Sequence, residues 1–443
     1  MATTDRMTVA PAVTPQHRVI RLIVTIAALA LALSVCAGAR SEETAEPKEA
    51  AATALGPVGK WLGDRGPSDP RPYDDVLLGD GFLDRDFFDW KNGLWLEDGI
   101  SFGGYVSANW QKGSENSSSH SISESLLLFS WEPLRGPRSA GRLVAGIAHD
   151  RTFGRTTTRE FADSQGLVET TNDLDTHPKF TFTTLGLLHW EYERRTGPDR
   201  GWGLRAGQIY APSYFGSARY LDDDRRFFMA RPLATAAGAQ WVGFNDIGLG
   251  ANAIVWKGPL YVSAAAIDGK ANREYPDFKS LADGKLLYLA EVGYESDVDG
   301  PNEAAIRLTV SHLDLSDGDN PGAGPGQSLM ISGDRIIDNR WAIAGRYSRS
   351  FERLSADYRE LLSLGFMWLS PFRRSQDIAG FGVFAGEPSD AAFDVESGAE
   401  IFYRLKLTQA ISIMLDLQYW SRDDASEAGT SAWVWGLRTE FEF

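Results

Sequence analysis

From Gly99 to its last residue the chain keeps a hydrophobic period of two, and in that stretch no run is apolar enough to cross a bilayer as a helix. Side chains in a strand point alternately to two faces, so the period divides each segment into an apolar and a polar side. The final segment divides most sharply. Trp433, Trp435, Leu437, Thr439, Phe441 and Phe443 fall on one side, and Val434, Gly436, Arg438, Glu440 and Glu442 on the other. Alone, this segment fits a strand of a soluble two-sheet sandwich as well as a strand with lipid on one side.

The pattern recurs upstream. Clean cases are Phe180, Phe182, Thr184, Gly186, Leu188, Trp190, Tyr192, and Leu286, Tyr288, Ala290, Val292, Tyr294. Ile306, Leu308, Val310, then Trp341, Ile343, Gly345, Tyr347, then Leu362, Leu364, Phe366, Trp368 repeat it. Ala399, Ile401, Tyr403, Leu405, Leu407 and Ile411, Ile413, Leu415, Leu417, Tyr419 complete the set. Each runs for about ten residues, the length a tilted strand needs to cross a bilayer. The opposite faces carry charge of both signs: His189 and Glu191, Arg205, Arg307, Arg346, Glu400, Arg404, Lys406, Asp416, Gln418, Arg438 and Glu440. An Arg or Lys on a lipid face at mid-depth costs about 2–4 kcal/mol, so these residues are expected to point into a wet interior. A chain of this kind enters a membrane only as a closed barrel.

Segments begin near Ile100, Ile122, Gly141, Phe180, Trp202, Gln240, Pro259, Leu286, Ala304, Gly326, Arg340, Glu360, Ala379, Ser397, Ile411 and Ala432. Gly326 to Ser332 is the weakest and reads almost as loop. Parity keeps it, because a barrel whose two ends lie on one side needs an even strand number. With it, long connections (151–179, 211–239, 269–285, 314–325) alternate with short ones (133–139, 194–201, 257–258, 296–303, 408–410). The expected fold is all-β: a sixteen-stranded antiparallel transmembrane β-barrel over residues 99–443.

Composition supports this. Aromatics at 12% and 45 Gly suit many strands with interfacial girdles and tight turns. Charged residues at 23% and a mean hydropathy of -0.25 exclude a helical membrane protein. A net charge of -16 excludes nucleic acid as partner, since phosphate binding needs a basic footprint. Ahead of the barrel, His17, Arg18 and Arg21 precede an apolar run from Leu22 to Val35, followed by Ala37-Gly38-Ala39. This is the pattern of a cleaved export signal over residues 1–39, and it contains the single cysteine, Cys36. Residues 40–98 read as a periplasmic linker with a short amphipathic helix over Phe82 to Trp95. That segment is either a plug near the barrel mouth or a loose tail.

Three stretches resemble the carbohydrate-selective porins (OprB-type) of Gram-negative outer membranes. Phe88-Asp89-Trp90 to Gly99-Ile100 resembles the family's helix and its step into the first strand. Ser370-Pro371-Phe372-Arg373-Arg374-Ser375-Gln376-Asp377-Ile378-Ala379-Gly380-Phe381-Gly382 resembles its Pro-x-Arg-Pro-x-Asp turn, with Ser375 in place of a common Pro. Glu396 to Tyr419 resembles its late hairpin through Glu400, Tyr403, Thr408, Asp416, Gln418 and Tyr419, although Leu415 stands where the family often has Pro. The resemblance implies outer-membrane lipid as surroundings and passive diffusion of small carbohydrates through a water-filled pore narrowed by loops. Analogy with porins in general adds a homotrimer. The alternatives are a porin for other solutes and a plugged structural or adhesive barrel.

A sugar offers flat apolar faces and many hydroxyls, so a path for it needs aromatics beside Arg, Asp and Glu, with binding weak enough for exit. The loop 211–239 has that composition: Tyr214, Arg219, Tyr220, Asp222, Asp224, Arg225 and Arg226. It either folds into the pore as a constriction or caps the mouth from outside. Asp222 to Asp224 either pair with the neighbouring arginines or hold Ca²⁺. From the wall, Glu191, Arg205, Arg307, Arg346, Glu400, Arg404, Asp416, Gln418 and Arg438 are the candidate pore-lining residues, with structural ion pairs as the competing role. No cofactor is expected. His149, His177, His189 and His312 are scattered without metal spacing, and no GxSxG or P-loop motif occurs, so an enzyme is not expected.

Overall fold

The computed structural model describes residues 76–78, 83, 85–172, 181–223, 225–235, 247–271, 276–296, 303–314, 326–351, 357–424 and 429–443. The expected signal sequence, most of the linker, Phe180 and Asp224 lie outside them. Sixteen strands form one closed antiparallel barrel. They are β1 (Ile100–Gly113), β2 (Ser119–Gly136), β3 (Ser139–Phe153), β4 (Thr181–Arg195), β5 (Arg200–Tyr210), β6 (Ile247–Lys257), β7 (Leu260–Asp268) and β8 (Leu286–Ser296). β9 (Ala304–Leu313), β10 (Gly326–Ile337), β11 (Trp341–Phe351), β12 (Tyr358–Leu369), β13 (Ile378–Pro388), β14 (Phe393–Lys406), β15 (Ile411–Asp424) and β16 (Thr430–Glu442) follow. The segment that only parity retained is a full strand, β10, paired on both sides.

The cylinder closes where β16 meets β1, in a register running from Tyr105↔Glu442 to Gly113↔Val434. Phe443 and Gly104 exchange backbone hydrogen bonds of 3.0 and 3.1 Å, which fixes the last residue in the ladder. Trp433, Trp435 and Leu437 are exposed on the outside, while Val434, Arg438 and Glu440 are buried within. The same assignment holds around the barrel, with Tyr288, Val292, Ile306, Leu308, Ile343, Leu364, Phe366, Ile401 and Leu415 all outward. No sandwich buries these rows.

One strand departs from the simple alternation. In β4 the register slips where Leu185 and Leu187 face Ile147 and Gly146, so Gly186 bulges. A bulge inserts one residue and inverts the face of everything before it. Leu188 and Trp190 point outward as expected, but Phe182 and Thr184 are buried in the interior.

A helix, α1 (Arg85–Asp98), precedes β1. Gly99 ends it at φ +72°, a conformation open to glycine. Trp95 is buried beneath the guanidinium groups of Arg135 (4.8 Å) and Arg142 (5.4 Å). Arg135 also donates to the carbonyls of Trp95 and Leu96 at the helix end. Such donors satisfy the carbonyls that a helix terminus leaves open.

The interior is not uniformly wet. A buried apolar cluster joins Phe161, Leu221, Phe227, Phe228, Met229 and Leu233 from the loops to Met367, Phe384, Phe402, Met414, Trp420 and Val434 of the wall. Part of the cylinder is therefore filled by these loops, and they define the candidate site.

Candidate pore constriction

Tyr210 ends β5 at the rim with the long connections, and the chain then turns into the barrel. The β5–β6 loop touches the wall strand after strand. The Tyr214 hydroxyl lies 3.2 Å from His189 Nε2 and donates to Glu191 at 3.4 Å, while the Arg205 guanidinium sits over its ring at 4.5 Å. Arg205 in turn donates to Glu191 (2.8 Å) and Asn252 (2.9 Å). The Gly216 amide donates to Glu291 at 2.6 Å. The Ser217 carbonyl accepts from Arg307 (3.1 Å) and Ser332 (2.9 Å). Arg307 also pairs with Glu295 (2.7 Å) and Asp334 (3.0 Å). Arg219 forks onto both oxygens of Glu303, the bidentate geometry that makes such pairs strong.

At its deepest the loop presents Tyr220, Asp222, Asp223, Arg225 and Arg226. Asp222 pairs with Arg346. Asp223 accepts from the amides of Arg225 and Arg226, both at 3.2 Å, and pairs with their side chains. Both described acids are thus engaged by arginine, Asp223 by its neighbours Arg225 and Arg226 and Asp222 by Arg346 of the wall. Burial works against the charge of Asp223, but the two guanidinium groups outweigh it and hold the carboxyl below its ordinary value. Burial pushes the Tyr220 hydroxyl up to about 12. Arg226 reaches Glu442 at 3.2 Å, and Arg225 lies over the Tyr105 ring at 4.1 Å. Arg404 and Lys406 approach the same carboxylate of Glu442, at 3.8 and 3.0 Å.

The loop then rises along β12 to β14. Phe228 enters a socket made by Gly365 and Gly382, which are register partners. A Cβ on either glycine would come within 2.7 Å of its ring. Glu400 accepts from the amides of Met229 (2.6 Å) and Ala230 (2.8 Å). Ser363 donates to the Pro232 carbonyl. Arg231 bridges to Glu169 (3.2 Å) and Asp357 (3.5 Å).

A second insertion comes from the β3–β4 connection. Its helix α2 (Thr158–Ser164) carries a capping box of Thr157 and Glu160. The following residues run inward. Val168 and Glu169 donate their amides to Glu396 at 2.7 and 3.2 Å. The Thr171 carbonyl accepts from Gln111 (2.8 Å) and Gln418 (2.9 Å), and Asn172 accepts from Arg438 at 3.5 Å. Gln418 also donates to Asp416 at 2.9 Å. Sequence reasoning singled out neither this loop nor the glutamates that hold the loops, Glu291 and Glu396. An inward glutamate bound to an inserted amide looks in sequence like one bound to water.

The wall candidates all face inward, but most do not line open water. Glu400, Asp416, Gln418, Arg438, Arg307 and Arg346 are buried under the inserted loops. Their work is anchorage, because a charged wall binds a loop wherever the loop offers amides or opposite charge. Among the described residues, the inward side chains of β2 and β3 remain half-exposed: Glu124, Leu126, Leu128, Ala148 and Asp150. The open lumen runs along these strands. Arg225 and Arg226 stand beside them against β1 and β16, and the Tyr105 hydroxyl donates to Glu124. His149 lies on the outer face beside Thr183, and His189 on the inner face beside Tyr214, so the two do not converge. Among the described residues no His, Cys, Asp and Glu cluster has metal-binding geometry.

The comparisons agree with this architecture. Residues 326–443 match the model of the carbohydrate-selective porin, OprB family, a range that contains the Ser370–Gly382 turn and the Glu396–Tyr419 hairpin. The high-pH structure of Pseudomonas putida OprB superposes with a TM-score of 0.66 at 13% identity, covering 80% of this chain and 97% of that chain. The low-pH structure of the same protein gives 0.48 at 12% identity, with 80% and 97% covered. The anion-selective porin from Comamonas acidovorans gives 0.49 at 11% identity, with 78% and 100% covered. No curated protein sequence matches the chain. The C-terminal part of the chain carries the sequence signature of the carbohydrate-selective porins, and the barrel as a whole has the porin fold.

Proposed function

We propose that this protein is an outer-membrane porin that lets small sugars diffuse passively through its lumen, along β2 and β3 and past the tip of the β5–β6 loop. One observation carries the reading: the loop is fastened deep inside the barrel and leaves one side of the lumen lined by half-exposed polar and apolar side chains. Leu126 and Leu128 offer an apolar surface, Arg225 and Arg226 hydrogen-bond donors, and Glu124 and Asp150 acceptors, which together suit a polyhydroxylated ring. Charges of both signs at the narrow point favour a neutral solute over an ion. The family match over residues 326–443 supports the same substrate class.

Planar-bilayer conductance tests it. The purified protein should give steady current steps that mono- and disaccharides reduce in a concentration-dependent way. Steps that no sugar reduces would leave a porin for other solutes; no steps at all would sink the pore. Arg225→Ala with Arg226→Ala should raise single-channel conductance and shift ion selectivity toward cations. Unchanged values would place these two residues away from the path.

A further inference from the structure

The turn that resembles the family motif has no part in the lumen, yet it is built unusually. Across β11 to β15 one outward rung reads Trp341, Trp368, Ala379, Tyr403, Leu415. Ala379 is the one small side chain in a row of large ones. The gap is a notch of about 470 Å³ on the outer wall, with Phe366, Phe381, Ile401 and Leu417 along its sides. It lies at the end of the barrel with the short turns, next to the turn between β12 and β13.

That turn holds Ser370, Phe372 and Arg373 at positive φ (62°, 55° and 66°). Such backbone is costly for residues with a side chain and persists where the surroundings enforce it. Its effect is to place Phe372, 71% exposed, over the end of the notch, with its ring 5.2 Å from Trp368 and 6.2 Å from Tyr403. Tyr403 and Arg374 are both tied to the buried Asp377, which fixes the frame. Three exposed arginines lie on this side of the barrel: Arg373 in the turn next to Phe372, Arg340 beside Trp341, and Arg335 on the outer face of β10, opposite Ile343. None of the three has an acidic partner among the described residues, and Asp338 is the one exposed carboxylate in the neighbouring β10–β11 turn.

We propose that this notch binds an anionic phospholipid of the periplasmic leaflet, with one acyl chain over Ala379 and the headgroup phosphate between Arg340 and Arg373. Charge decides the occupant. A hydrocarbon tail alone needs no cations, whereas basic residues at the membrane surface attract anionic headgroups, and Trp and Tyr rings mark the level of those headgroups.

The test uses the full-length protein in vesicles of phosphatidylcholine doped with phosphatidylglycerol of identical chains, followed by extraction and native mass spectrometry. The wild type should retain phosphatidylglycerol in preference to phosphatidylcholine. Arg340→Ser with Arg373→Ser should reduce that preference by about fivefold for each cation removed. Ala379→Trp, which fills the notch, should reduce retention of both lipids. Sugar-blocked conductance reports that each variant is folded and should not change, because the notch is on the outside of the wall. Equal retention of the two lipids by the wild type, or undiminished preference in the double variant, overturns the proposal. So does efficient disulfide linkage between copies of Ala379→Cys in the membrane, which would show a second copy of the chain in the notch.

Discussion

Single side chains on the wall decide where the loops lie. Glu400 holds two successive amides, and charge-assisted hydrogen bonds contribute about 1.5–3 kcal/mol each. Glu400→Ala should therefore free the rising limb of the β5–β6 loop. The expected result is a larger and noisier single-channel current with the barrel intact; a current equal to wild type would show that Phe228 and Ser363 suffice. The glycine socket makes the complementary point. Gly382→Ala adds only a methyl group, but that methyl would stand 2.7 Å from Phe228. Overpacking of this kind costs roughly 1–3 kcal/mol, so the variant should melt lower than wild type and conduct more. Gly382→Ala combined with Phe228→Leu should partly reverse both changes.

Between elements, the two inserted loops meet the wall at Glu169, Arg231 and Asp357. One guanidinium serves two carboxylates there. Burial and the adjacent Glu169 raise Asp357 well above the ordinary range. Burial opposes the charge of Glu169 too, but Arg231 outweighs it and lowers that carboxyl. The two effects act in different windows. A raised carboxyl stabilises the fold most at acid pH, and its contribution erodes as pH climbs from about 4 to the raised value; a lowered one stabilises it above about 4, and that contribution is lost as pH falls below about 4. The seam should accordingly loosen from pH 4 upward, seen as a falling melting temperature, and Asp357→Asn should flatten that slope. A wild-type profile that rises over this interval would refute the assignment. How far these features could be read in advance differs by type. The strands were legible because lipid on one side and polar contacts on the other enforce alternation residue by residue. Gly186 broke the reading of β4, since a bulge leaves no compositional mark. The inserted β5–β6 loop was half legible from its aromatics and charges. Glu291, Glu396 and the β3–β4 insertion were not, because the loop groups that meet the wall there are main-chain amides and carbonyls, which every sequence offers alike.

The described strands form a sheet closed on itself, and its outer face tolerates charge poorly. Leu437→Arg should cost about 2–4 kcal/mol at mid-depth, measured by urea unfolding from lipid vesicles. The native Arg438 beside it is accommodated because it faces inward to Asn172. A Leu437→Arg variant as stable as wild type would mean that this face does not meet hydrocarbon.

A hoop of hydrogen-bonded strands is hard to stretch around its circumference but easy to squash toward an ellipse. Here the β5–β6 loop leaves one arc and is fastened to β8, β9, β11, β14 and β16 on others. It acts as a cross-strut. Cutting it would change more than the width of the passage, because the cylinder would also lose its stiffness against lateral pressure from the surrounding bilayer.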